Sequence, residues 1–290
     1  MRVAFLGTPA AAVPSLVALV DAGHDVRLVV TRADRRRGRG AGLSASPVKV
    51  AALARGLRVA HSLASLEGLD AERGVVVAYG ALIPAPILAW LPMLNVHFSL
   101  LPRWRGAAPV QRAILAGDAT TGVSVISLEA TLDTGPVHVA SSVPVGEKSA
   151  RELTEELAHL GAAALLRVLA SAELLAHPSP QVGEATYADK LVKEDFHVTP
   201  VMAASIALRT VRLGGAFLFV DERRVTVEVA RESGIAVSEG LAEMRDGRVV
   251  LGVSDGSIEV QSVRPAGSST MEATAWWRGQ RGRSDARQWS

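Results

Sequence analysis

The 290-residue chain contains no cysteine. That excludes a disulfide framework, a thiolate nucleophile and any Cys-ligated zinc. Lysine is scarce too. Lys49, Lys148, Lys190 and Lys193 are the whole complement, so arginine carries the basic charge. Aromatic residues are 4% against 49% hydrophobic, so a core must be built from Val, Leu and Ala. The net charge of +2 announces no nucleic-acid binder, and only local clustering can make that case. No run has the roughly 20 apolar residues of a membrane span. The longest candidate, residues 160–175, is interrupted by Arg167 and Glu173. The opening residues 1–7 are too short for a signal peptide, so a cytoplasmic protein is expected. No Gly-x-Gly-x-x-Gly follows the first strand, so no dinucleotide is expected. No His/Asp spacing resembles a zinc set, and no metal is expected.

What is present is a strand and helix alternation. Residues 3–6 read as a buried strand, a helix runs to Asp21, and residues 26–30 read as the next strand. Such a unit predicts a right-handed βαβ crossover and a mostly parallel sheet. Further strands are expected at 75–78, 94–96, 122–128 and 137–143, with helices at 47–55, 109–116 and 150–176. Ligands of open α/β sheets bind outside the carboxyl ends of the strands, which puts Tyr79 and Gly80 beside a pocket. Beyond His177-Pro178-Ser179-Pro180 the pattern shifts. Alternating segments at 225–229, 248–253 and 257–263 predict a small open barrel. The expected division is 1–183 for the α/β domain, 184–203 for a linker and 204–290 for an OB-like barrel domain.

Three polar side chains stand out. Asn95 and His97 are two apart after an apolar run, so a strand projects both from one face. Asp133 follows in Leu132-Asp133-Thr134-Gly135. Each has an ordinary reading: His97 as a strand-end histidine, Asn95 as a turn residue, Asp133 as a turn or cap aspartate. Periodicity alone does not bring Asp133 to His97. Residues 32–39 hold Arg32, Arg35, Arg36, Arg37 and Arg39 against one acid, Asp34. That cluster reads either as a solvated loop or as a phosphate-contacting arm.

The run Asn95-Val96-His97-Phe98-Ser99-Leu100-Leu101-Pro102, then Arg103-Trp104-Arg105-Gly106-Ala107-Ala108-Pro109, then Leu132-Asp133-Thr134-Gly135, resembles the signature of formyltetrahydrofolate-dependent formyltransferases. The Arg103–Pro109 segment is similar to the methionyl-tRNA formyltransferase branch. Firm resemblance spans residues 1 to about 193. It implies a Rossmann-like formyltransferase domain with Asn95, His97 and Asp133 as the catalytic group. It implies Ser99, Leu100, Leu101, Pro102, Tyr79 and Gly80 as the folate site, with 10-formyltetrahydrofolate as co-substrate. It further implies Arg35, Arg36, Arg37 and Arg39 as contacts to initiator methionyl-tRNA, the expected macromolecular partner of a monomeric enzyme. Two alternatives stand beside it: a formyltransferase for a small amine, such as a sugar or glycinamide nucleotide, and an RNA-binding paralogue without catalysis. Two segments depart from the pattern, residues 198–200 and 212–217. Phe98 replaces a smaller residue and is expected to narrow the pocket.

Overall fold

In the computed structural model, residues 1–36, 43–280 and 286–290 are described. The chain forms two compact units. The first comprises Met1–Val110, Ala119–Val145 and Glu152–Lys190. Its strands are β1 (Arg2–Gly7), β2 (Asp25–Val30), β3 (Val59–Ala60), β4 (Arg73–Val77), β5 (Met93–His97), β6 (Thr120–Ser127) and β7 (Val137–Pro144). They lie in the order β7-β6-β5-β4-β1-β2-β3. The first five in sequence are parallel, and β6 runs antiparallel to both its neighbours, β5 and β7. The sheet is therefore Rossmann-like, with the strand order reversing at β1.

Sequence explains these elements directly. Val75, Val76 and Val77 are buried on both sheet faces, as a continuous apolar run in a covered parallel sheet requires. Each such side chain stabilises the fold by about 1.5–3 kcal/mol. Helix α1 (Val13–Asp21) has Pro14 in its first turn, where the missing N–H costs nothing. In α2 (Pro47–Leu53) the Ser46 hydroxyl caps the Lys49 amide. A short α3 (Ala85–Trp90) precedes β5, and α4 (Pro109–Ala116) precedes β6. The single helix expected over 150–176 is two: α5 (Ala150–Leu169) and α6 (Ala172–Ala176). Ser171 separates them because its hydroxyl accepts from the Leu174 amide and opens a new helix.

The second unit comprises Gln111–Asp118, Gly146–Arg151 and Leu191–Ser290. After α7 (Ala204–Arg212) come β8 (Phe217–Val220), β9 (Arg223–Ser233), β10 (Leu241–Arg245), β11 (Arg248–Val253) and β12 (Gly256–Pro265). Then follow α8 (Ala273–Gly279) and β13 (Ala286–Gln288). The order is β8-β9-β12-β11-β10-β13. Val220 bridges Trp289, and Phe219 and Ser290 exchange two backbone hydrogen bonds of 2.7 and 2.9 Å. The barrel is thus shut by residues 289 and 290, which removes its sheet edges. Its core joins inward residues of the strands, among them Val225, Val227, Val249, Leu251 and Ile258, to Trp276, Trp277 and Trp289. The departing segment at 212–217 is a turn through Gly214 and Gly215, after which the Phe217 carbonyl accepts from the Val198 amide. Tyr187–Ala188 is a two-residue strand paired with Arg105–Gly106 in the first unit.

Among the described residues no helix is long and apolar enough to cross a membrane.

Candidate active site

The carboxyl ends of β4 and β5, adjacent parallel strands, open onto a cavity of about 490 Å³. Ala78 takes a left-handed conformation (φ 46°) immediately after β4 and turns Tyr79 and Gly80 onto the cavity wall. Asn95 and His97 line the cavity from β5, as their spacing predicts. The β6–β7 connection supplies Leu128, Glu129, Thr131, Leu132 and Asp133. Phe98 borders it too, but its ring lies beside Val96 toward Gly161, on the strand face opposite Asn95 and His97.

Asn95, His97 and Asp133 are all buried, at 8%, 6% and 7% exposure. The His97 Nδ1 lies 3.7 Å from Asp133 Oδ2. The Asn95 Nδ2 donates to Asp133 Oδ1 over a long 3.5 Å. The three candidates drawn from separate parts of the sequence therefore meet at one carboxylate. Asp133 is itself left-handed (φ 52°), a conformation aspartate tolerates, in the tight Asp-Thr-Gly turn. The backbone amide of Gly106 donates to Asp133 Oδ2 at 2.8 Å. Gly106 has φ 119°, and a Cβ there would meet the Ala188 carbonyl oxygen at 2.9 Å, so only glycine fits this loop.

The orientation of His97 comes from a residue the sequence did not single out. Its Nε2 is 2.8 Å from the Trp104 carbonyl oxygen. A carbonyl only accepts, so the proton sits on Nε2 and Nδ1 turns to Asp133. Trp104 reaches this position with φ 62°, costly for a bulky side chain and typical of backbone held for function.

Ser99, Leu100, Leu101 and Pro102 do not line the cavity. They form a turn behind His97. Ser99 is fully buried and donates to the Arg103 carbonyl. The Ser124 hydroxyl donates to the Ser99 carbonyl and accepts from the Leu101 amide. The four residues support β5 because their polar groups are consumed internally.

Tyr79 and Gly80 do reach the cavity. Burial pushes the Tyr79 phenol up, opposed by the nearby Arg32 charge, so the hydroxyl stays neutral and able to donate. The Arg32 guanidinium donates to the Gly80 carbonyl. Asp34, the cluster's acid, pairs with Lys49 at 2.7 Å. Arg35 is exposed on a two-residue strand, Arg35–Arg36, paired with Leu43–Ser44. Arg37 and Arg39 lie outside the described residues.

A family model described as formyl transferase matches residues 1–169. The methionyl-tRNA formyltransferase of Clavibacter sepedonicus is 42% identical over 299 residues, covering 96% of this chain and 97% of that protein. The likeness therefore extends through the barrel. An N-formyltransferase from Helicobacter canadensis, solved with folinic acid and dTDP-3-aminofucose, superposes with a TM-score of 0.70 at 15% identity. It covers 90% of this chain and 98% of that one. A methionyl-tRNA formyltransferase from Clostridium thermocellum gives 0.55 at 16% identity, covering 80% and 94%. These structures share the fold, and the sequence relatives fix the branch: the chain belongs to the methionyl-tRNA formyltransferase family of formyl transferases.

Proposed function

We propose that this chain transfers the formyl group of 10-formyltetrahydrofolate to the amino group of methionyl-initiator tRNA in the cavity at the ends of β4 and β5. One observation carries the reading. A neutral amide, an imidazole and a carboxylate converge in that cavity, in a chain alike over 96% of its length to a methionyl-tRNA formyltransferase.

The cavity suits a folate ring system. Its walls include Val76, Ile83, Leu128 and Leu132, together with the polar Asn95, His97 and Asp133. A concave, mostly apolar pocket with a few convergent polar groups is the usual setting for a small ligand. The co-substrate supplies the electrophilic formyl carbon and the leaving nitrogen. The protein must stabilise an oxyanion when the amine adds, and must take the proton the amine sheds. The Asn95 amide has two N–H groups, and its single long contact to Asp133 leaves it able to donate to the oxyanion. Nδ1 of His97, with Nε2–H tied to Trp104, is the nitrogen left to take that proton, and it lies toward Asp133. Asp133 lies close enough to stabilise the positive charge that arrives on His97.

Arg35, Arg36, Arg37 and Arg39 would contact phosphates of the tRNA, and Tyr79 and Gly80 the folate. The enzyme acts as a monomer in the cytoplasm on this reading. The test is a formylation assay with 10-formyltetrahydrofolate, offering methionyl-tRNA in one arm and amino-sugar or glycinamide nucleotides in the other. Turnover confined to the tRNA arm is expected. Turnover confined to a small amine would transfer the site to the other branch of the fold.

A further inference from the structure

Gln181 sits between two anchored segments. On one side Ser179 bridges Val137 at the start of β7, with backbone bonds of 2.7 and 2.8 Å. On the other, Thr186 takes the Trp104 amide on its hydroxyl and the Arg105 amide on its carbonyl, both at 2.9 Å. The side chain of Gln181 therefore reaches the catalytic loops from a backbone held at both ends.

All four hydrogen-bonding positions of its amide are used. Nε2 donates to the Asp133 carbonyl at 2.8 Å and to the Gly135 carbonyl at 2.9 Å. Oε1 accepts from Arg105 Nε at 3.1 Å and from Arg105 Nη2 at 2.6 Å. Carbonyls only accept and a guanidinium only donates, so these partners fix which end of the amide is nitrogen. The next residue along from Arg105, Gly106, donates its amide to the Asp133 carboxylate. The circuit closes: Arg105 holds Gln181, Gln181 holds the Asp133 backbone, and the Arg105–Gly106 strand holds the Asp133 side chain.

We infer that Gln181 is a positioning residue for formyl transfer, one that sets Asp133 against His97 by gripping both ends of the Asp-Thr-Gly turn. This rests on the reading of Asp133 as catalytic. The left-handed backbone of Asp133 is disfavoured for most residues, so it needs an external hold, and the two contacts fix its own carbonyl and that of Gly135 two residues on. Only a primary amide of this length meets two acceptors and a guanidinium at once. Glutamate keeps the Arg105 contact but turns a carboxylate toward two carbonyl oxygens.

The experiment uses Gln181→Glu, Gln181→Met and Asp133→Ala, singly and with each Gln181 change placed on Asp133→Ala. Single-turnover formylation and thermal unfolding are read on every protein. Both Gln181 variants should fall in rate by up to about 10²-fold, the scale of a displaced catalytic group. On Asp133→Ala the same changes should cost little further. A Glu variant as fast as wild type would overturn the inference, since it would leave Arg105 pairing as the whole role. So would losses that multiply with that of Asp133→Ala. If either variant fails to fold, the other and the milder Arg105→Lys carry the same cycle. Wild-type turnover in Asp133→Ala itself would instead remove the reading of the site on which the inference rests.

Discussion

The sheet unit and the barrel both bury carboxylates, and they treat them differently. In the barrel, Glu259 is gripped by Arg231 at 2.9 Å and approached by Arg248 at 3.7 Å, and Glu243 pairs with Arg245. Each of these acids is neutralised by a guanidinium that never loses its charge. Asp133 in the sheet unit has a backbone amide, a loosely held side-chain amide and an imidazole around it. Among the described residues no arginine or lysine lies within ion-pair reach of it. A buried acid closed off by arginine holds structure, whereas one faced by a titratable ring and weak donors keeps reactive capacity. The contrast separates cost to folding from cost to chemistry, and mutations can break it.

The largest expected effect falls on the barrel and on stability. Trp277 is 6% exposed in the barrel core, against Trp276 with ring centroids 6.1 Å apart. Trp277→Ala should cost about 3–5 kcal/mol, read as a lower denaturant midpoint. A shift under about 1 kcal/mol would mean that the barrel core is not cooperative with the tryptophans.

Next comes the sheet unit, where rate and stability should part. Asn95→Ala or His97→Ala should lower formylation by about 10²–10³, with the denaturant midpoint close to wild type. A wild-type rate in either variant would remove that residue from the chemistry. A stability loss matching the barrel change would erase the difference between the two regions.

A smaller loss should come from the turn that carries Asp133. A Cβ on Gly135 would collide with the Ser127 carbonyl oxygen, a rigid backbone atom. Gly135→Ala must shift the turn and Asp133 with it. A fall of up to about 10²-fold in single-turnover rate is expected, since a displacement near 1 Å is enough. An unchanged rate would show that Asp133 tolerates movement of its turn.

The same difference governs what the sequence reveals. Strands β1, β2, β4 and β5 are apolar runs, and their burial on two faces makes them readable without tertiary knowledge. Asn95 and His97 follow from a period of two on β5. Asp133 joins them through a left-handed turn and the Gly106 amide, which no periodicity encodes. Trp104 stands in the family run but its role is not legible there, because it acts through its carbonyl, and Gln181 acts through contacts far along the chain. In the barrel, β9 alternates, whereas β11 and β12 hold continuous buried runs against the expected alternation, and β8, β10 and β13 are short and declare themselves only by pairing. Ser99–Pro102 carries the family run and forms the turn behind His97, held by Ser99 and Ser124.

The smallest effect expected is one of slope, and it sets two classes of arginine against each other. Arg35 is exposed, and the acid next to it in sequence, Asp34, is held by Lys49. Its charge is therefore available to a phosphate. Arg231 donates to both Glu259 oxygens at 2.9–3.1 Å, so its charge is already balanced. Binding that neutralises phosphates releases counterions, so the logarithm of the affinity falls linearly with the logarithm of salt. The slope diminishes by about 0.9 for every duplex phosphate that is no longer neutralised. Arg35→Ala with Arg36→Ala should flatten the salt dependence of methionyl-tRNA binding by about that amount per phosphate and leave folate affinity alone. Arg231→Ala should leave the slope unchanged while exposing Glu259, a change visible only in stability. The check is a fluorescence titration of tRNA at several salt concentrations for each variant. A flattened slope for Arg231→Ala with none for the Arg35 and Arg36 pair would move the phosphate-binding role to the barrel's arginines. The first cluster would then be a solvated edge.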